Sequence, residues 1–169
     1  YKKRAYFGAG NPQPEHELKF GPNITEWPKI PALSDNLLMQ VASVLRDPVT
    51  TTDELIPSGE TSSYRSNPLK LATFALSRRD PEYVARANAA HALELARADG
   101  LVPPELEAVL SKLGLSKDAA KTMQLGSVIF ANKPGDGSAR EQAASCQRVL
   151  GGCANICYEF ATKRYRSNC

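Results

Sequence analysis

The sequence predicts an α/β fold with a parallel sheet. Short apolar segments typical of strands alternate with longer segments whose apolar residues recur at helical spacing. Strands that are connected through helices usually pair in parallel, because the helix carries the chain back to the starting end of the sheet. The 169 residues, of which 42% are hydrophobic, are enough for one domain with a buried core.

Residues 1–33 are predicted to form a linker or an extended arm. Proline fixes φ and has no amide donor, so a proline-rich segment leaves little room for regular structure. If the arm lies as a strap across another domain, Phe20 and Trp27 are its expected anchors. Five of the twelve prolines lie in this segment, namely Pro12, Pro14, Pro22, Pro28 and Pro31.

Residues 34–46 fit two patterns. A helical stripe is formed by Leu37, Leu38, Val41, Val44 and Leu45. An alternating strand pattern is formed by Leu37, Met39, Val41 and Leu45. The periodicity favours the helix, with Ser34 or Asp35 as its cap, and leaves the strand open.

Two segments follow with clearer boundaries. Residues 47–67 are rich in Thr, Ser, Pro and Gly and are predicted to be a strand end followed by a loop. A short helix is predicted from Pro68 to about Leu76, because Asn67 suits the N-cap and Pro68 suits the first turn.

The next helix is predicted from Asp80 through Ala98. Asp80 is its expected cap, Pro81 suits its first position and Gly100 ends it. The remaining predicted elements are a helix at Pro104–Leu113, a turn at 117–122, a strand at Ser127–Ala131, a helix at Ala139–Leu150, a strand at Ala154–Tyr158 and a helix at Phe160–Ser167.

The most informative segment joins the strand that ends at Ala131 to the helix that follows. Residues 133–141 have the sequence Lys-Pro-Gly-Asp-Gly-Ser-Ala-Arg-Glu. Ser138 and Arg140 would lie at the start of a helix, where free N–H groups and the helix dipole favour an anion. Gly135 and Gly137 would let the backbone approach a ligand closely.

A purely structural role for this segment stays open. Glu141 follows Ser138 by three residues, which is the spacing of a capping box. A phosphate-binding loop is excluded, because the chain lacks the Gly-x4-Gly-Lys-Ser/Thr pattern.

Composition and charge favour some functional classes over others. The net charge of +3 does not indicate nucleic-acid binding, and the basic cluster Lys163–Arg166 is predicted to be a solvated helix face. No apolar run approaches the roughly 20 residues of a membrane span, and no signal peptide opens the chain, so a soluble, cytoplasmic protein is predicted. The four cysteines are predicted to be buried or idle thiols, since Cys153 and Cys157 lack the two-residue gap of common metal sites.

The glycine-rich segment resembles the Gly-x-Gly-Ser-x-Arg-Glu motif of the aconitase superfamily, the iron–sulfur hydro-lyases. Three further segments resemble elements of that family and occur in the same order. Thr51–Gly59 is similar to Thr-Thr-Asp-His-Ile-Ser-x-x-Gly and is followed by Arg65, twelve residues after Asp53. Ser145–Gly152 is similar to Pro-Arg-His-Leu-Gly-Gly. Phe160-Ala161 with Asn168 is similar to Ser-Phe-Ala and a later Asn.

This resemblance implies a swivelling β/β/α domain of aconitase type over residues 34–169, with a helical insertion at about 78–118. It favours the strand for residues 34–46. Because Tyr1 replaces an initiating Met and the chain stops just after a predicted helix, we expect a fragment that is truncated at its C-terminus.

The resemblance also implies roles for individual residues. Ser138 would be the proton-abstracting base, while Arg65, Arg140 and Gly137 would bind the substrate. Asp53 is a candidate for orienting them. The implied activity is a hydro-lyase reaction on a hydroxy di- or tricarboxylate that depends on a 4Fe–4S cluster. The cluster ligands are expected outside this chain, in the same polypeptide or in a large subunit, so the fragment alone should be inactive.

Two departures from the family pattern indicate a divergent hydratase. Ala139 replaces a second serine, and Glu54 replaces a histidine. Two alternatives remain open: a separately encoded small subunit of the isopropylmalate-isomerase type, and a non-catalytic RNA-binding relative.

Overall fold

The computed structural model describes residues 2–17 and 19–169 and confirms the α/β class with parallel sheets. The strands are β1 (Leu37–Leu45), β2 (Thr50–Thr51), β3 (Gln124–Ala131), β4 (Pro134–Asp136) and β5 (Gly152–Cys157). The helices are α1 (Lys2–Gly8), α2 (Thr52–Leu55), α3 (Pro68–Ala72), α4 (Tyr83–Ala98), α5 (Pro104–Lys112), α6 (Arg140–Val149) and α7 (Lys163–Asn168). No helix in the described ranges is long and apolar enough to cross a membrane.

Strand β3 is the centre of a three-stranded parallel sheet with the order β1-β3-β5. It is buried at every position except Phe130, which is half-buried, as expected for a central strand covered on both sides. Strands β2 and β4 form a separate parallel pair. This second pair brings the chain that follows β2 beside the chain that follows β4.

The main core lies where β3 packs with the helices. Ile129 of β3, Ala87 of α4, Leu71 of α3 and Cys146 of α6 belong to this cluster, together with Tyr165 of α7. A smaller cluster joins α5 to the start of β3 through Leu106, Leu110, Ala120 and Leu125. The core therefore fixes the positions of the helices that flank the candidate site.

Several predicted elements are confirmed. Within the ambiguous residues 34–46, Leu37–Leu45 form a strand, β1. Helix α3 begins at Pro68 as predicted, and the side chain of Asn67 accepts a hydrogen bond from the Lys70 amide at 3.0 Å. It ends at Ala72, earlier than the predicted end at about Leu76. Helix α5, the turn at 117–122, helix α6 and strand β5 also lie where they were predicted, within two residues at each end. Strand β3 begins at Gln124, three residues earlier than predicted, and α7 begins three residues later than predicted.

The predicted start of α4 is wrong. Its N-cap is Glu82 rather than Asp80. The carboxylate of Asp80 instead accepts hydrogen bonds from the Ser43 hydroxyl, at 2.6 Å, and from Arg86. Burial raises the pKa of Asp80, but these hydrogen bonds outweigh burial and leave the pKa lowered. The residue therefore ties β1 to α4.

The predicted loop at 47–67 contains a helix that the sequence analysis missed. Helix α2 is capped by Thr51, whose hydroxyl accepts a hydrogen bond from the Glu54 amide at 3.2 Å. The Glu54 carboxylate accepts a hydrogen bond from the Thr51 amide at 2.7 Å, which completes a capping box. Glu54, which departs from the family pattern, therefore has a structural role here.

The arm is more structured than predicted, since residues Lys2–Gly8 form α1. The other described residues before Leu37 form neither helix nor strand. Phe20 and Trp27, the predicted anchors, are 45% and 53% exposed. The end of the arm bonds to the domain itself, because Arg148 donates a hydrogen bond to the Pro31 carbonyl at 2.6 Å.

Candidate functional site

The loop between β4 and α6 carries Ser138 and is held by the parallel pair β2–β4. Thr51 lies opposite Asp136 in this pair, so the loop runs past the start of α2. Gly137 has a φ of +135°, and a Cβ atom there would overlap the hydroxyl of Thr52. Glycine is therefore required at this position by the contact with α2, whether or not a ligand binds.

Gly135 is required for a similar reason on the other side of the loop. Its φ is +96°, and a Cβ atom would overlap the ring of Tyr165 in α7. The buried Tyr165 hydroxyl is also hydrogen-bonded to Gln147, at 2.9 Å, and to Asn155, at 3.1 Å. Helix α7 therefore fixes the loop in front of α6.

The first turn of α6 has no side-chain cap. Its N-cap residue is Ala139, and no side-chain hydrogen bond is made at that end. The capping box that the Ser138–Glu141 spacing allowed does not form, because neither side chain has a hydrogen-bond partner among the described residues. The Ser138 hydroxyl and the N–H groups of the first turn are left for another partner.

Ser138 and Arg65 line the same open cleft. The cleft has a volume of about 260 Å³, and its lining residues are Ser58, Arg65, Ser138, Ala139 and Gln142. The side chains of Ser138 and Arg65 are both exposed. The fold thus brings together two of the predicted site residues, although they lie far apart in the sequence. The lining does not include Gly137, Arg140 or Asp53.

The two predicted substrate-binding arginines have no carboxylate partner among the described residues, which is also true of Arg46, Arg148, Arg164 and Arg166. Four other arginines form ion pairs with carboxylates, namely Arg78, Arg79, Arg86 and Arg97. The Nε of Arg140 is buried and has no hydrogen-bond partner. A buried donor without a partner costs free energy, so this guanidinium is suited to donate hydrogen bonds to a bound anion.

Asp53 does not contact the other predicted site residues through a hydrogen bond or an ion pair. Its carboxylate binds Arg78, whose other nitrogen donates to Glu60 at 2.5 Å. The neighbouring Arg79 binds Asp47 and lies 3.5 Å from a carboxylate oxygen of Glu54. These ion pairs stabilise the segment that contains α2, so Asp53 helps to fix the position of that segment.

Sequence analysis missed two cleft residues, Ser58 and Gln142. A signal existed for each of them. Ser58 lies within the segment Thr51–Gly59 that resembles the family, and Gln142 follows Ser138 by four residues, which is one helical turn. Both offer polar groups that can hydrogen-bond a carboxylate.

The thiols of the described residues do not fit a cluster site. No group of three or more His, Cys, Asp or Glu residues in those ranges could hold a metal ion. Burial raises the pKa of the Cys146 thiol to about 12, which disfavours the thiolate that a metal requires. The pKa values of Cys153 and Cys157 are also raised by burial.

The sequence matches no protein-family model and has no match among curated proteins.

Proposed function

We propose that this chain is the substrate-binding portion of a hydro-lyase that acts on a hydroxy di- or tricarboxylate. One observation carries the proposal: Ser138 and Arg65 line one cleft beside the uncapped first turn of α6. The reaction type is inferred from the motif resemblance to the aconitase superfamily. Arg65 and Arg140, which have no carboxylate partner among the described residues, favour a negatively charged substrate. The same site would serve a separately encoded small subunit.

Carboxylate binding is the first task of the site. A guanidinium can donate two parallel hydrogen bonds to one carboxylate, and such charge-assisted bonds contribute about 1.5–3 kcal/mol each. Arg65 lines the cleft, and Arg140 has a buried Nε without a partner. Two guanidinium groups suit a substrate with at least two carboxylates. The first N–H groups of α6 add a favourable dipole.

Proton abstraction is the second task. Ser138 Oγ would take the proton from the carbon next to a substrate carboxylate, and the electron pair of that C–H bond would form the double bond as the hydroxyl leaves. An alkoxide needs stabilisation, which nearby N–H groups and guanidinium charge provide. A 4Fe–4S cluster, with ligands expected outside this sequence, would supply Lewis-acid assistance to the leaving hydroxyl.

Calorimetric titration of the full-length protein with tricarballylate tests this proposal, because that ligand has three carboxylates and no hydroxyl. We expect saturable binding that weakens tenfold or more in Arg65→Gln and in Arg140→Gln, since about 1.4 kcal/mol corresponds to a factor of ten. The matched control is Arg164→Gln, an exposed arginine of α7 outside the cleft. Unchanged affinity in both Arg65→Gln and Arg140→Gln would contradict the proposal.

A further inference from the structure

The second half of the arm is bonded to the domain next to Arg65. The Thr25 amide donates to the Ser66 carbonyl at 3.0 Å, and the Thr25 hydroxyl donates to Asn67 Oδ1 at 3.2 Å. Farther along, Arg148 donates to the Pro31 carbonyl at 2.6 Å. The arm is therefore attached on both sides of Trp27.

Trp27 lies between these two attachment points in the sequence. It lines a narrow gap of about 20 Å³ with Arg65 and with Glu141, Gln142 and Ser145 of α6. Arg65 and Gln142 also line the larger cleft that contains Ser138. Arg65 therefore has the arm on one side and the candidate substrate cleft on the other.

This arrangement bears on how Arg65 binds an anion. A free arginine side chain has many rotamers, and binding must overcome the entropy that is lost when they are restricted. Arg65 is exposed and has no ion pair among the described residues, so neighbours that limit its rotamers would lower this entropy cost. The hydrogen bond from the Thr25 amide holds the backbone at Ser66, just after Arg65, and Trp27 lines the same narrow gap as the Arg65 side chain.

We infer that the arm segment Thr25–Pro31 is a positioning element of the site and that Trp27 positions Arg65 for carboxylate binding. The inference rests on the proposed function for the identity of the ligand. The arm is then part of the substrate site.

The chain provides its own probe, because Trp27 is its single tryptophan. Titration of the full-length protein with tricarballylate, followed by fluorescence at a wavelength selective for tryptophan, is compared with calorimetry of the same samples. If the full-length polypeptide has other tryptophans, the Trp27→Phe protein identifies the contribution of Trp27. We expect a saturable change in Trp27 emission whose midpoint equals the calorimetric Kd. Arg65→Gln should move the midpoint of the change to a tenfold or more higher concentration, and Arg164→Gln should leave the midpoint unchanged.

Two variants separate positioning from mere proximity. Trp27→Ala should weaken tricarballylate binding about three- to tenfold by calorimetry, because Arg65 regains rotamers. Trp27→Phe keeps an aromatic neighbour and should bind within about twofold of the wild type. Wild-type affinity in Trp27→Ala would overturn this inference and leave the proposed function intact. Absence of tricarballylate binding in the wild type would overturn both.

Discussion

At the residue scale, Glu94 shows how a buried charge is held in this fold. Its carboxylate accepts hydrogen bonds from the Leu125 amide at 2.7 Å and from two nitrogens of Arg97 at 2.7 and 2.8 Å. Burial raises the pKa of Glu94, but these hydrogen bonds outweigh burial and lower it below its ordinary value of 4.5. Glu94 thereby joins α4 to the start of β3.

The lowered pKa predicts an acid-dependent contribution to stability. A carboxylate whose pKa is lower in the folded state stabilises fully above its unfolded pKa, and this contribution is lost as the pH falls through the folded value. We expect Glu94→Gln to lower the free energy of unfolding by about 1.5–3 kcal/mol at pH 7. The deficit should shrink below about pH 4.5. Urea unfolding of the wild type and of Glu94→Gln, at pH 7 and below about pH 4.5, measures this deficit.

The control for this prediction is Glu105→Gln, which removes an exposed carboxylate of α5 that has no ion pair among the described residues. Its unfolding free energy should stay within about 0.5 kcal/mol of the wild type. A Glu94→Gln deficit of the same size at both pH values would contradict the account of the charge.

Gly137 gives a second prediction at this scale. Gly137→Ala should lower the unfolding free energy by about 1–3 kcal/mol, because a non-glycine residue is strained at its φ of +135° and the new methyl group would overlap Thr52. Gly59→Ala is the matched control, since a Cβ atom there meets nothing within 4 Å. Thermal and urea unfolding measure both variants, and equal stability of the two would contradict the packing argument.

At the element scale, α2 explains what sequence patterns can and cannot give. The Thr51-x-x-Glu54 spacing is a capping-box signal that the structure uses, yet a four-residue helix is too short to show periodicity. The same spacing at Ser138 and Glu141 forms no box. Local spacing is thus necessary for the box, and the backbone path decides whether it forms.

Strand β1 shows the complementary case. Its apolar residues fit a helix as well as a strand, and local periodicity could not decide between them. Pairing with β3, more than eighty residues later in the sequence, selects the strand. The register of this pairing is irregular between Val41 and Ser43. The role of Asp80 as a helix cap was mispredicted for the same reason, because a tertiary contact determines the position of its carboxylate.

The capping box of α2 can be tested by removing one hydroxyl. Thr51→Ala should lower the unfolding free energy by about 0.5–2 kcal/mol, because the Glu54 amide loses its acceptor. Thr51→Ser keeps the hydroxyl and should recover most of that loss. Chemical unfolding compares the two variants, and an alanine variant as stable as the serine variant would show that the box does not stabilise α2.

At the scale of the whole molecule, the candidate site is a product of topology. The β2–β4 pair brings the segment after β2 to the loop after β4, and the cleft then collects Ser58, Arg65 and Ser138. The motif identified Ser138 and Arg140 as candidates from local sequence. The pairing of Asp53 with Arg78 could not be derived from sequence, because no local pattern links residues 25 positions apart.

The most direct test of the central claim is the turnover of Ser138→Ala in the full-length, cluster-loaded protein. Dehydration of a panel of hydroxy di- and tricarboxylates is followed by the absorbance of the unsaturated product, with iron content and thermal unfolding measured in parallel. Ser111→Ala, on the exposed face of α5, is the control. We predict that Ser138→Ala lowers kcat by about 10²–10⁴ while KM and iron content stay close to wild type. A kcat equal to that of the wild type would contradict the assignment of Ser138 as the base.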